Sequence, residues 1–498
     1  MSTLQYDIIV LGSGFGGLIT AAILAGKGRR VLLLKEKGYK AFYQRNGYRE
    51  SPFSSFTERR LGPSLFQRIS HKLSLSLLDW NLEKEVDVPS QVILPEARIN
   101  ASTEPSLLRK EWKREFPGEL SQIEGIYKEF DRLRELLKDE EKKSPSPFFP
   151  LKRKSLLGKH FSFPFVSLFL GPHGIGEKLS SFSREFREFV RLQLLSRGNL
   201  LPDRFPVLLS AYMLLREEWS QWLPQMTLEK VSEDIQSLFL QSGGEIEEIE
   251  RVEKATKEWG QGFMLMLAGD RRIFQGRALT LNGPLHSFAK LSGNVEKVIV
   301  RWSERVYPRY LLFPCFLGVR EKVVPCGMRD LLVSILDLER PYEQGNLLLL
   351  GISPRASETA SPEGHRMLTA VSLIPVTRLG ASVDLDQTSA ASHEESVMGH
   401  LNHLIPFLER YIEFADFDWA REETRRWSYP HFLYETASDF DWREGIVPNR
   451  LSHNLYFVGK ENFPYLGLEG EVLSGLMVAE AIEHGKHFAG SELQVNGV

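Results

Sequence analysis

At 498 residues the chain is too long for one ordinary domain, and an apolar content of 42% supplies sizeable cores without the excess of an integral membrane protein. A net charge of −3 offers no general attraction to nucleic acid, and Cys315 and Cys326 make neither a metal spacing nor a disulfide framework. A strand begins after five residues, leaving no room for a secretory signal, and no apolar run reaches the ~20 residues of a spanning helix, so the expectation is a cytoplasmic protein, soluble or peripheral to a membrane.

Tyr6 to Glu36 predicts strand, tight turn, helix and strand, a βαβ unit. The apolar run Ile8 to Leu11 enters a glycine cluster, a small-residue helix follows over Leu18 to Ala25, and Val31 to Leu34 forms the second run. Gly12, Gly14 and Gly17 have the spacing in which the first glycine allows a sharp turn. The second lets backbone approach a pyrophosphate, and the third packs helix on strand. The helix N-terminus then offers free N–H groups and the positive end of its dipole to the phosphates. A lone motif of this kind is weak, but flanked by two apolar runs it points to dinucleotide binding rather than a bare structural turn.

Gly38 to Thr57 is polar, aromatic and irregular, and helical spacing returns between Ser106 and Lys138, with Ile123, Tyr127, Phe130, Leu133 and Leu137 on one face. Lys138 to Lys154 has the character of a linker or exposed loop. Phe161 to Gly174 follows four basic residues, Lys152, Arg153, Lys154 and Lys159. It is either a lip resting on a bilayer or a buried segment beside a surface loop. Further helices are expected over Phe182 to Leu195, Phe205 to Leu223 and Leu228 to Phe239, the last ending at Gly243-Gly244. From Glu245 the period becomes that of strands, which predicts a return to the nucleotide sheet. Mixed β structure is expected from Val298 to Ile352, a helix over Met398 to Phe414, a buried strand over Asn454 to Gly459 and a small-residue helix over Gly467 to Ile482. The nucleotide lobe is therefore discontinuous, unlike that of a simple Rossmann dehydrogenase.

Several of these stretches resemble the phytoene desaturase and retinol saturase group of FAD-dependent oxidoreductases, within the amine-oxidase-like flavoprotein superfamily. IIVLGSGFGGLITAAILAGKGRRVLLL is similar to that group's FAD fingerprint, and REFPGELSQIEGIYKEF to its first helical insert. QSGGEIEEIERV, NLLLLGISPRASETASPEGHRML and NLYFVGKENFPYLGLEGEVLSGLMVAEAI resemble its GG-strand segment, a later strand and turn, and its closing motif. The resemblance implies an α/β fold: a Rossmann-type FAD-binding domain, discontinuous, with a mixed α+β substrate domain. The expected parts are 1–80 (nucleotide-binding), 81–225 (helical, substrate- or membrane-facing), 226–290 (return to the nucleotide domain), 291–445 (substrate sheet) and 446–498 (closing part). The cofactor contacts it implies are Gly12, Gly14, Phe15, Gly16 and Gly17, then Lys35, Glu36 and the backbone of Val252 near the adenine. Gly459, Lys460, Glu461, Gly467, Glu469 and Gly470 complete them in the closing motif.

Two departures stand out. The group ends its second strand with a carboxylate for the adenosine ribose, where this chain has Lys35 followed by Glu36. Its closing motif has Gly-Asp, where this chain has Gly459-Lys460 followed by Glu461. The glycine-glycine-arginine turn after the second strand is also missing, replaced by Ala41, Phe42 and Tyr43. An ammonium cannot accept a hydrogen bond from a ribose hydroxyl, but it pairs with phosphate. Three readings remain open: Glu36 and Glu461 take over, the lysines meet phosphate of FAD or another nucleotide, or the cofactor is lost. The implied activity is desaturation or saturation of C–C bonds in a long apolar, carotenoid- or retinoid-like substrate. A non-catalytic lipid or protein binder, as the flavin-free Rab GDP-dissociation inhibitors are on this fold, and an amine oxidase are the alternatives. Phe161 to Leu170, Phe205 to Leu215 and Tyr310 to Leu317 are either tunnel lining or plain core. His365, His431 and Tyr465 are candidate acid–base groups or structural residues, and no metal motif occurs.

Overall fold

A computed structural model of the protein describes residues 3–50, 63–74, 82–84, 90–102, 104–141, 174–215, 222–224, 228–258, 262–270, 272–291, 295–353, 361–376, 387–429, 431–437 and 447–484. The βαβ unit forms as the apolar pattern requires, with β1 (Thr3–Leu11), α1 (Phe15–Gly26) and β2 (Val31–Glu36). Ile8 to Leu11 and Val31 to Leu34 are buried on both faces, the signature of central strands in a parallel sheet. The chain returns much later through α2 (Leu228–Gln241) and β3 (Glu245–Ile249), then β4 (Val252–Glu258), β5 (Gly262–Leu267) and β6 (Ile273–Asn282). It closes with β7 (Leu455–Val458) and α3 (Leu468–Glu483).

These strands make one twisted sheet in which β3, β2, β1, β6 and β7 run parallel in that order. β6 divides its outer edge: Ile273 to Gly276 pair with β5, and Leu279 to Asn282 pair with β7. That division lets the β4–β5 meander and the C-terminal strand share one neighbour, so Asn282 ends beside both β1 and β7. The α/β class and the discontinuous Rossmann-type sheet expected from the sequence are what the structure has.

A second sheet holds the strands Ile412–Asp416, Val306–Arg320, His365–Pro375, Leu347–Ile352, Leu331–Ile335, Ser90–Ile93 and Arg98–Ala101 in that order, with Phe432–Thr436 also pairing with Val306–Arg320. Tyr310 to Leu317 are buried within it, and the helix Val207–Leu215 is buried against the helix Leu120–Glu141. Both aromatic-rich stretches therefore serve as core in the described structure. Phe161 to His173 lies outside the described residues, as does most of Lys138 to Lys154.

Several boundaries differ from the periodicity for identifiable reasons. The pattern over 106–138 is two helices, Pro105–Glu115 and Leu120–Glu141, parted at Phe116-Pro117-Gly118, where proline lacks the N–H a helix needs. Gln387–Leu404 stops before Pro406, Phe407 takes a left-handed φ of 65°, and Ile412 to Phe414 belong to a strand instead of the expected helix. Val298 to Ser303 are helical within Glu296–Ser303, and Leu223 lies in the short strand Trp222–Pro224. Among the described residues no helix is long and apolar enough to cross a membrane.

Candidate functional site

The turn from β1 into α1 is where the sheet opens. Gly12 has a φ of 109°, and a Cβ there would collide with the Asn282 carbonyl oxygen at the end of β6. Only glycine combines that left-handed backbone with so close a neighbour. A Cβ on Gly17 would collide with Asn282 Oδ1, and one on Gly16 would meet the Glu471 carbonyl oxygen at 2.5 Å. Gly475 answers from α3 by packing onto the Gly16 backbone, and Thr20 Oγ1 donates to the Gly475 carbonyl at 3.1 Å. Small residues thus bring α1 and α3 into backbone contact. Phe15 is buried, and no acidic residue occupies the first turn of α1, leaving its N–H groups for an outside anion.

One such anion is supplied by the chain itself. The Gly16 N–H donates to Glu471 Oε1 at 3.1 Å, across 455 positions of sequence. Asn282 Nδ2 donates to the same oxygen at 3.3 Å and to the Val458 carbonyl at 2.9 Å. A Cβ on Gly14 would stand 2.7 Å from Glu471 Oε1 and 2.8 Å from Asn282 Oδ1. Neither Glu471 nor Asn282 was singled out by the sequence, since nothing local says that they reach the glycine turn. Glu471 belongs to the first turn of α3, whose N-cap Gly467 has a φ of 58°, a conformation that favours glycine. Gly470 has no room for a Cβ, which would meet the Phe463 carbonyl at 2.5 Å, and Glu469 is buried beside it.

A cavity of about 300 Å³ lies along this turn. Ser13, Gly14, Phe15 and Leu18 line it from α1, Lys35 from β2, Ile246 from β3, and Glu229, Ser232 and Glu233 from α2. Tyr39, Ala41, Phe42, His431, Lys460 and Glu471 also line it. Lys35 and Glu36 part here, because successive strand residues point to opposite faces. Lys35 lines the cavity and pairs with Glu248 of β3 at 3.6 Å. Glu36 points away and is buried, accepting from the Ser428 N–H at 2.9 Å and the Ser428 hydroxyl at 2.5 Å. Glu36 thus holds Ser428 and, of the two neighbours, only Lys35 lines the cavity. Val252 opens β4 opposite Leu267 and does not line the cavity, which Ile246 of β3 does.

The closing turn divides its residues similarly. Gly459 is held by its N–H donating to Asn462 Oδ1 at 2.9 Å. Lys460 is buried yet lines the cavity, with Nζ 3.4 Å from His431 Nδ1. Burial pulls the Lys460 ammonium below its ordinary range, while the Glu471 and Glu461 carboxylates push it back up. Burial, with Lys460 adding to it, also holds His431 well below the usual imidazole value, so its ring is neutral. Glu461 does not line the cavity: Oε1 accepts from the Leu285 N–H at 2.7 Å, and burial raises the carboxyl to about 7. Burial and the carboxylates of Glu423, Glu471 and Glu36 raise the Tyr39 phenol. Of the three acid–base candidates only His431 reaches the cavity: His365 pairs with Glu413 at 2.8 Å on the second sheet, and Tyr465 is buried in the turn before α3. Among the described residues no group of His, Cys, Asp and Glu is placed to hold a metal ion.

A dinucleotide diphosphate fits the glycine turn by these observations: a cradle that a Cβ would fill, an N-terminal amide already holding an anion, and two lysines in the same cavity. No family model matches the chain. It is 24% identical to a chloroplastic prolycopene isomerase of Daucus carota over 517 residues, covering 96% of this chain and 80% of that relative. It is 29% identical to the human all-trans-retinol 13,14-reductase over 130 residues, 25% of this chain and 19% of that relative. In fold it is similar to a triple mutant of putrescine oxidase, with a TM-score of 0.64 at 13% identity, over 97% of this chain and 99% of that one. Likeness in sequence to a prolycopene isomerase and a retinol reductase and likeness in fold to an amine oxidase meet in one chain, which resembles the phytoene desaturase and retinol saturase-like FAD-dependent oxidoreductases.

Proposed function

We propose that the cavity between α1, β2 and the closing turn is an FAD site, and that the protein adds or removes hydrogen across C–C bonds of a long apolar, polyene-like substrate. The observation that supports this most directly is the meeting of Gly16 and Glu471, which brings the glycine turn and the closing helix together around one phosphate-binding amide. Bound FAD would supply the hydride chemistry. The missing side chains at Gly12, Gly14 and Gly17 let Asn282 and Glu471 close on the turn into α1, and the N-termini of α1 and α3, at Phe15, Gly16, Gly467, Glu469 and Gly470, would hold the phosphates of FAD. Lys35 and Lys460 place ammonium groups in the cavity for phosphate oxygens. The acceptor role toward ribose hydroxyls passes to Glu229 and Glu233 on α2, which share the cavity with Lys35. His431, held neutral beside Lys460, offers Nδ1 as a hydrogen-bond acceptor to the ammonium and so orients it.

The test is the purified protein incubated with FAD, separated from free cofactor, and given a carotenoid or retinoid in lipid vesicles. Oxidised-flavin bands together with a product that has gained or lost two hydrogens support the reading and fix its direction. An unchanged mass with shifted polyene absorption would make the reaction an isomerisation, as the name of the Daucus carota relative describes that protein. A second reading, a lipid or protein binder without cofactor, draws on Lys35, Lys460 and the Glu471 carboxylate already seated on α1. A colourless protein that refuses added FAD but retains the polyene favours that second reading.

A further inference from the structure

We infer that Glu471 is an internal anion occupying the phosphate-binding amide of α1, and that FAD loads only by displacing it. This rests on the reading of the cavity as an FAD site. The second glycine of the turn, Gly14, matters because a missing side chain lets a pyrophosphate approach the backbone. Here the space so opened is filled from the other side, since Glu471 Oε1 lies 2.7 Å from where a Gly14 Cβ would stand. The same oxygen takes the Gly16 N–H and Asn282 Nδ2, so two donors suited to a phosphate oxygen are already committed. One N–H gives one hydrogen, and a buried carboxylate beside a diphosphate repels it.

The displaced carboxylate has a destination. Glu471 is 5% exposed and lines the same cavity as Lys460, itself 5% exposed, whose ammonium its charge already favours. A swing from the α1 amide to Lys460 exchanges one buried partner for another and clears the cradle. Glu471 thus sets how tightly a dinucleotide is held, and its effect is separable from the fold of α1 and α3. A merely structural Glu471 would stabilise the helix contact and leave cofactor affinity unchanged.

The experiment titrates the apo form of the full chain with FAD, following flavin fluorescence, for wild type, Glu471→Ala and Glu471→Gln. ADP and inorganic pyrophosphate are titrated in parallel by calorimetry. The expected result is FAD binding at least about tenfold tighter in Glu471→Ala, with Glu471→Gln also tighter because it keeps the shape and removes the charge. Apo Glu471→Ala should melt below wild type and gain more on adding FAD. Equal FAD affinity in all three proteins overturns the inference and leaves the FAD site standing. If no protein binds FAD but Glu471→Ala gains ADP or pyrophosphate, the role of Glu471 as an internal anion on the α1 amide stands, while its displacement by FAD and the FAD reading fall. If Glu471→Ala fails to fold, Glu471→Gln decides alone, and no gain for any probe in it overturns the inference.

Discussion

The turn into α1 and the turn into α3 are alike in backbone and opposite in charge. Each uses a glycine at positive φ, Gly12 at 109° and Gly467 at 58°, and each delivers a buried helix to the same cavity. The first turn of α1 has no acid, whereas that of α3 has Glu469 and Glu471, and Glu471 crosses to the amide of α1. The α1 turn is shaped by sterics, which tolerate no substitution. The closing turn is shaped by charge, which a conservative change can retune.

The steric side breaks most severely. Gly12→Ala must place a Cβ on the Asn282 carbonyl oxygen while holding a φ that alanine resists. Strain and overpacking each cost about 1 to 3 kcal/mol, so a loss of roughly 3 kcal/mol or more is expected in denaturant unfolding. A variant that unfolds at the wild-type midpoint would show that the turn relaxes at little cost.

The charged side is sharpened by Glu461, the closing-turn acid that does not line the cavity. Its carboxyl is raised to about 7 from 4.5 by burial, so the folded state favours the protonated form. That contribution is complete below the unfolded value and is lost as pH rises through about 7. Above that pH the buried carboxylate weighs against folding by about 3 kcal/mol relative to a neutral group. Glu461→Gln keeps an acceptor for the Leu285 N–H and cannot ionise. Its stability should match wild type near pH 4 and exceed it near pH 8 by about that amount, as read from thermal melts across the range. A constant difference between the two proteins would rule out the raised carboxyl.

What the sequence made legible follows from how local each signal is. The glycine spacing between two apolar runs specifies the β1–α1 turn, because turn and helix start depend on neighbours within a few residues. The discontinuous sheet was legible from the period change at Gly243-Gly244, where helical spacing gives way to strands. Helix ends were missed where a proline interrupts continuous apolar spacing, at Pro117 and Pro406, although both prolines were in plain view. Asn282 and Glu471 were illegible for a different reason. Their partners lie in the α1 turn and at Val458, 455 positions away for Glu471 and Gly16 and 176 for Asn282 and Val458, and no pattern in one segment says which side chain of another will meet it.

Lys35 and Glu36 bring the comparison down to adjacent residues, and strand alternation sorts them. Glu36 holds Ser428 with two hydrogen bonds out of the cavity, so Glu36→Gln should cost about 1 to 2 kcal/mol of stability and leave FAD affinity unchanged. Lys35 is partly exposed, and its pair with Glu248 at 3.6 Å is worth no more than about 0.5 kcal/mol. Lys35→Glu should therefore fold almost as well as wild type. If its ammonium serves a phosphate, FAD binding weakens by about tenfold, the scale of one charge-assisted contact. Equal or tighter binding would instead place Lys35 at the ribose, where a carboxylate is the better acceptor and the lysine is only tolerated. Measured side by side, the two variants separate a side chain that holds the fold from a neighbour that faces the ligand.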